Sequence, residues 1–198
     1  MTPRIILLAT IAEGIGVVGV YAQLYRIKKI LKTNGLALWT YALNVSANIA
    51  WVSFSFSKSI YIVAISNFLM GLMNLYILSK IIRNKQKLKQ VLFVGFSCGV
   101  FLTFALTASG DFAGWVAVAF NLISSLPQII KAMTNRNLDG LSVASQWYWF
   151  VAEIITISYG LMLGSWVLVV AGIRGLLTSI MLGALAYAKH RKLRYNSK

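Results

Sequence analysis

Acidic side chains are almost absent from this chain: Glu13, Asp111, Asp139 and Glu153 stand against nineteen lysines and arginines. Charged residues of both signs make up only 12%, against a soluble norm near about a quarter. A soluble domain of 198 residues could not cover its core with so few polar groups. The single cysteine, Cys98, excludes an internal disulfide. The single histidine, His190, lies in a basic tail, so thiolates and imidazoles cannot assemble a metal cluster. No cofactor and no metal site are expected. No nucleophile–base pair stands out, so an enzyme is not expected either.

What is abundant is apolar. Hydrophobic residues make up 59% of the chain, and the mean hydropathy is +0.75. The runs are long enough to cross a bilayer as helices, which need about 20 apolar residues each. Seven runs emerge: Ile5–Leu24, Leu36–Phe56, Ile60–Ile82, Val91–Ala108, Phe112–Ala132, Leu141–Leu163 and Trp166–Ala186. The first could be a secretory signal, but its length, its central Glu13 and the basic cluster after it read as a retained span. An integral, multi-pass protein of the cell membrane (the inner membrane if the source is bacterial) is expected. The net charge of +15 could suggest nucleic acid. The basic residues sit instead in short loops between apolar runs, as cytoplasmic loops facing an anionic leaflet do, so no nucleic-acid partner is expected. Nearly all of them follow spans one, three, five and seven, whereas the loops after spans two, four and six hold only Lys58. The positive-inside rule then puts the N-terminus outside and the C-terminus in the cytosol.

The chain also repeats itself. LPQIIKAMTNRNLDG, residues 126–140, has a counterpart in YAQLYRIKKILKTNGL, residues 21–36. A shift of 105 positions carries Gln128 onto Gln23 and Gly140 onto Gly35 without a gap. Both stretches are an apolar helix end, a basic turn and a glycine before the next apolar run, the mark of a duplicated unit. The expected organisation is an all-α membrane protein of seven helices. A three-helix repeat at 1–83, a linker at 84–111 carrying the fourth span, a second three-helix repeat at 112–189 and a basic tail at 190–198 follow in order. The extra crossing makes two odd-numbered units parallel, related by a pseudo-two-fold along the membrane normal.

Pro127-Gln128, the basic turn, Asp139-Gly140-Leu141-Ser142 and Tyr159-Gly160, taken with the repeat and its layout, resemble the PQ-loop membrane family. The three-one-three order is similar to its sugar-carrying branch, the SWEET transporters. The first copy departs from that pattern, with Ala22, then Asn34-Gly35-Leu36-Ala37, then Phe54-Ser55 at the matching positions. The resemblance implies alternating access by a carrier of a sugar or related polar metabolite, with a site near mid-membrane between the units. It implies hinges on the first helix of each unit. Here only Pro127 removes a backbone hydrogen bond, beside Gln128, while Gln23 holds the equivalent place in copy one. It also implies an aromatic on the second helix and an asparagine on the third lining the pocket, which fall on Trp51 and Asn67. A tryptophan face offers a sugar ring a platform, and an amide both donates to and accepts from hydroxyls. Their copy-two equivalents are Thr156 and Gly172. Trp51 reads equally as an interfacial anchor near the end of its span.

Copy two offers charge in place of that clamp. Glu153 lies one turn before Thr156 and Arg174 lies just past Gly172, with Glu13 a third charge inside the first span. A charge at mid-membrane costs about 2.5–3.5 kcal/mol on insertion scales, so each should face protein or water. Two readings stay open. Glu153 and Arg174 are a buried pair holding the last two helices together. Or, with Glu13, they meet a charged or zwitterionic substrate or exchange a proton, because a carboxyl shielded from water favours its neutral form. The second reading describes a proton-coupled amino-acid or vitamin carrier. Asp139 is placed to start its helix at the positive dipole end, and by resemblance to lysosomal cystine carriers it inherits a proton-coupling role. Asn48 matches Glu153 and Asn44 matches Trp149 across the repeat; with Ser46, Asn74, Asn121, Gln146 and Thr178 they suit a shared cavity or helix–helix hydrogen bonds. A ligand or sorting receptor of the same fold, binding without translocation, is the rival class. A homo-oligomer is open.

Overall fold

The computed structural model describes residues 2–33, 35–82, 89, 110–135 and 138–196. The expected fourth span, Val91–Ala108, lies outside them. Six helices account for most of the described chain: α1 Pro3–Ile30, α2 Leu38–Ser57, α3 Tyr61–Ile81, α4 Gly110–Thr134, α5 Val143–Leu163 and α6 Trp166–Asn196.

Several helices differ in extent from the apolar runs that announce them. Proline stands at the first position of α1, where its missing N–H costs nothing. At the other end Arg26, Lys28 and Lys29, expected in a loop, belong to the helix, which closes at Leu31 in a left-handed cap. Lysine and arginine are strong helix formers, and cations in a last turn complement the dipole. For the same reason α6 runs on into the basic tail. The turn expected at Ser109-Gly110-Asp111 is helical from Gly110, with Asp111 in the first turn of α4. Asp139 does not start α5. Ser142 caps that helix, its hydroxyl accepting from the Ser145 amide, and the Asp139 carboxylate instead pairs with Lys32 at 3.4 Å.

Helix packing follows the 105-residue offset. α3 packs on both α1 and α2, and α6 packs on both α4 and α5; across the middle α1 meets α5 and α2 meets α4. The shift exchanges these last two contacts. At one end of the molecule, the turn before α2 meets the turn before α5. There Gly35 has a φ of +87°, and a Cβ on it would come within 2.9 Å of the Leu138 Cα, so a left-handed, side-chain-free residue is required. At the opposite end Lys58, after α2, pairs with Asp111 of α4 at 2.9 Å.

Two apolar clusters fill these ends. Leu24, Ile27, Leu36, Ile77, Leu138 and Leu141 belong to the first; Phe54, Ala117, Tyr159, Val167 and Leu168 belong to the second. Burial repeats at the offset, with Phe54 and Tyr159 both fully enclosed and Leu36 matching Leu141. The outer faces carry exposed Ile65, Phe68, Leu72, Leu122, Ile130, Ile173 and Leu177. Such a surface belongs in lipid. Four helices, α1, α3, α4 and the Trp166–Arg191 part of α6, are long and apolar enough to cross a membrane. α2 and α5 carry more polar side chains, and Thr40, Ser46, Asn48, Ser55, Ser145 and Glu153 among them are buried.

Candidate functional site

Between the two apolar clusters lies a cavity of about 210 Å³, smaller than the roughly 300–1,000 Å³ of drug-sized sites. Its wall takes residues from all six described helices. Trp51, Asn67, Asn48, Glu153, Thr156 and Arg174 all line it, as do Glu13, Gln23 and Gln128. Pro127 and Asp139 do not. Of the further polar positions read from the spans, Asn44, Asn74, Asn121, Gln146 and Thr178 also face it, and Ser46 does not.

Trp51 is 7% exposed and packs edge-on to Phe54, with ring centroids 5.5 Å apart. It therefore faces protein and cavity, and the interfacial-anchor reading is corrected by its burial. Asn67 donates to the Val63 carbonyl one turn back at 2.9 Å, leaving its amide oxygen for the cavity. The Asn48 amide nitrogen is buried without a hydrogen-bond partner. A buried donor left unpaired costs about 1–3 kcal/mol, so it is a group that a polar solute would satisfy.

The charged groups gather on the other wall. Arg174 lies 3.9 Å from Glu153, Nη2 to Oε1, and its Nη1 donates to Ser125 Oγ at 3.3 Å. Its Nε has no partner. Glu13 accepts a short hydrogen bond from the Ser66 hydroxyl. Tyr159, whose hydroxyl is buried without a hydrogen-bond partner, lines the cavity with Glu13 and Glu153. Glu153 reaches Arg174 by lying flat against Gly175: a Cβ there would overlap the carboxyl group itself. Gly175→Ala is accordingly expected to push Glu153 off its position and to lower the melting temperature of purified protein by several degrees, while Gly14→Ala, which meets nothing within 4 Å, leaves it unchanged.

Two glutamines close one end of the cavity. Gln23 on α1 donates from Nε2 to the Gly140 carbonyl at 2.6 Å and accepts from the Ser142 amide at 2.9 Å. Gln128 on α4 donates to the Gly35 carbonyl at 2.6 Å and accepts from the Ala37 amide at 2.8 Å. The two sets superpose under the 105-residue shift, atom for atom. Each glutamine holds the turn leading into a helix of the other triplet. Their matching places in the repeat were legible from sequence; their reach across the middle was not. Thr40, Tyr41, Ser124 and Ser125 also line the cavity and were not singled out from sequence. Serine and threonine inside helices commonly bond back to their own turn, so their presence in a span carries no signal of direction. Ser124, for one, donates to Asn44 across the α2–α4 contact at 2.7 Å.

The family described as PQ loop repeat matches residues 109–169, which hold α4, α5 and the start of α6. A solved eukaryotic SWEET transporter is similar in structure, with a TM-score of 0.65 and 14% sequence identity over 95% of this chain and 99% of that one. Comparison with curated proteins finds no match. The family model matches this part of the chain, and the solved structure shares the fold. With the chain's apolar outer faces, they support an integral, multi-pass membrane protein.

Proposed function

We propose that this chain is a membrane carrier for a small polar solute, a sugar or related metabolite, working by alternating access. In this reading residues 1–83 and 112–189 are two three-helix units, 84–111 supply a linker with the seventh crossing, and 190–198 are a cytosolic tail. The N-terminus is outside and both glutamine-bearing ends face the cytosol, against an anionic leaflet. The observation that carries the reading is the polar cavity of about 210 Å³ between two apolar plugs, walled by helices that exchange under the repeat. A wet chamber closed at both ends by separable contacts is what alternating access needs. Trp51 and Asn67 would bind the solute on one wall, Asn48 and Thr156 on another, with Glu153 and Arg174 at the charged side. Pro127 would hinge α4, since it cannot donate to the carbonyl one turn back. This is transport without covalent chemistry, and no enzyme activity is proposed.

Counterflow in proteoliposomes tests the reading. Labelled sugars, amino acids and vitamins are screened for exchange against an internal excess of the same solute. At least one is expected to exchange, and Trp51→Ala combined with Asn67→Ala is expected to cut its rate tenfold or more (about 1.4 kcal/mol of lost binding per tenfold). Saturable binding by purified protein with no exchange in vesicles would replace the carrier by a receptor of the same fold.

A further inference from the structure

Two carboxyls and one guanidinium share the cavity, so with both acids ionised the set is short of one positive charge. Arg174 is already engaged, facing Glu153 and Ser125. Glu13 faces no cation among the described residues. From α3 it meets the Ser66 hydroxyl. From α5, Glu153 and Tyr159, whose hydroxyl has no hydrogen-bond partner, line the same cavity. Arg174, on α6, stands 3.9 Å from Glu153. α2 and α4 bring Trp51, Tyr41, amides and hydroxyls to the chamber, with no further carboxylate, lysine, arginine or histidine among the lining residues. Glu13 is partly buried in the cavity wall, where a charge is costly unless neutralised, and no cation among the described residues pairs with it.

From this geometry we infer that Glu13 is a proton-exchange site and that the carrier moves its solute together with, or against, a proton. The inference rests on the carrier reading above and adds the coupling ion. With Glu13 as the neutral acid and Glu153 paired to Arg174, the chamber carries no net charge. The step is a plain proton transfer: the Glu13 carboxylic acid gives its proton to water, leaving the carboxylate, and later regains it. Position supplies the coupling. Glu13 belongs to the first three helices and Glu153 to the last three, and both line the cavity where α1 packs on α5. Any rocking of one triplet against the other alters their separation and hence their repulsion. Proton occupancy and conformation are then linked, and each must bias the other.

Infrared titration of the purified chain in lipid nanodiscs reads the site without knowledge of the solute. The wild type is expected to show, in addition to the bands of Asp111, Asp139 and Glu153, a carboxylic-acid carbonyl band of Glu13 that comes and goes with pH. Glu13→Gln should abolish it, and Ser66→Ala, which leaves the acid in place, should shift the pH at which it appears. A titration in which Glu13→Gln removes no band would overturn the assignment. In proteoliposomes, a solute found by counterflow should accumulate against its own gradient when a pH gradient is imposed. Glu13→Gln should lose the accumulation and, with it, the pH dependence of exchange. Counterflow that never becomes accumulation in the wild type overturns coupling and leaves the carrier standing. A titrating Glu13 band in a chain that passes no solute overturns the carrier reading and coupling with it. Melting curves of Glu13→Gln and Ser66→Ala verify that both variants fold.

Discussion

Glu153→Gln and Arg174→Gln are each expected to destabilise the purified protein by about 3 kcal/mol, the lower part of the range for breaking a buried pair. The lower part applies because the nitrogen and oxygen are 3.9 Å apart, near the limit of direct pairing, and the cavity admits some water. Each single change leaves one charge enclosed with a neutral partner. The double variant leaves none, so it should recover most of the loss. That gives a coupling energy well above the few tenths expected of independent sites, read from denaturant unfolding in micelles. Transport separates the two meanings of the pair. If the charges meet substrate or set the conformation, all three variants should carry solute far more slowly than Asn48→Ala. Asn48→Ala removes a donor that has no partner, so its cost in stability should be small. Wild-type transport by Glu153→Gln at both acid and neutral pH, combined with the expected stability loss, would leave the pair a structural fastener only.

The extent to which these features were legible in the sequence follows from what each depends on. Helix number and order among the described residues came from apolar run length, which the bilayer sets through backbone hydrogen-bond satisfaction. The repeat came from punctuation, with glycines at 35 and 140 in matching places, of which Gly35 takes a left-handed backbone. Helix ends were less legible. The basic stretches after Leu24 and Ala186 mark where lipid stops, yet lysine and arginine continue a helix as readily as leucine does. Asp139 illustrates a local preference overruled: an acid suits a helix start, but Lys32 and the Ser142 cap gave it other employment. The chamber was half legible. Amides and charges inside spans had to face something other than lipid, and most do face the cavity. Which neighbour each one meets depends on contacts between different helices, from Arg174 with Ser125, 49 residues apart, to Gln128 with Gly35, 93 apart, and no periodicity encodes those.

Those long-range contacts yield the second large effect. Gln128→Leu strips a partner from the Gly35 carbonyl and from the Ala37 amide, both enclosed beneath the apolar cluster around Leu36 and Leu138. Each orphaned buried group costs about 1–3 kcal/mol, so a loss of roughly 2–6 kcal/mol is expected, with Gln23→Leu the same at the other latch. Gln128→Glu should cost nearly as much, since a carboxylate cannot donate to the Gly35 carbonyl and would face it oxygen to oxygen. The damage should be confined to one end. In a background with Cys98→Ser, a probe cysteine at Leu141, 2% exposed in the intact protein, should become reactive to a water-soluble maleimide when either glutamine is replaced. A probe at Val167, in the opposite cluster, should stay protected. Four hydrogen bonds worth about 0.5–1.5 kcal/mol net apiece are enough to keep this end shut for most of the time and still weak enough to release in a working cycle. A carrier that must open here needs a closure of that strength, made twice by the same residue in both halves so that the end parts along its whole width. Unchanged labelling and unchanged melting in both variants would mean that the apolar cluster alone shuts the chamber and that the glutamines are bystanders.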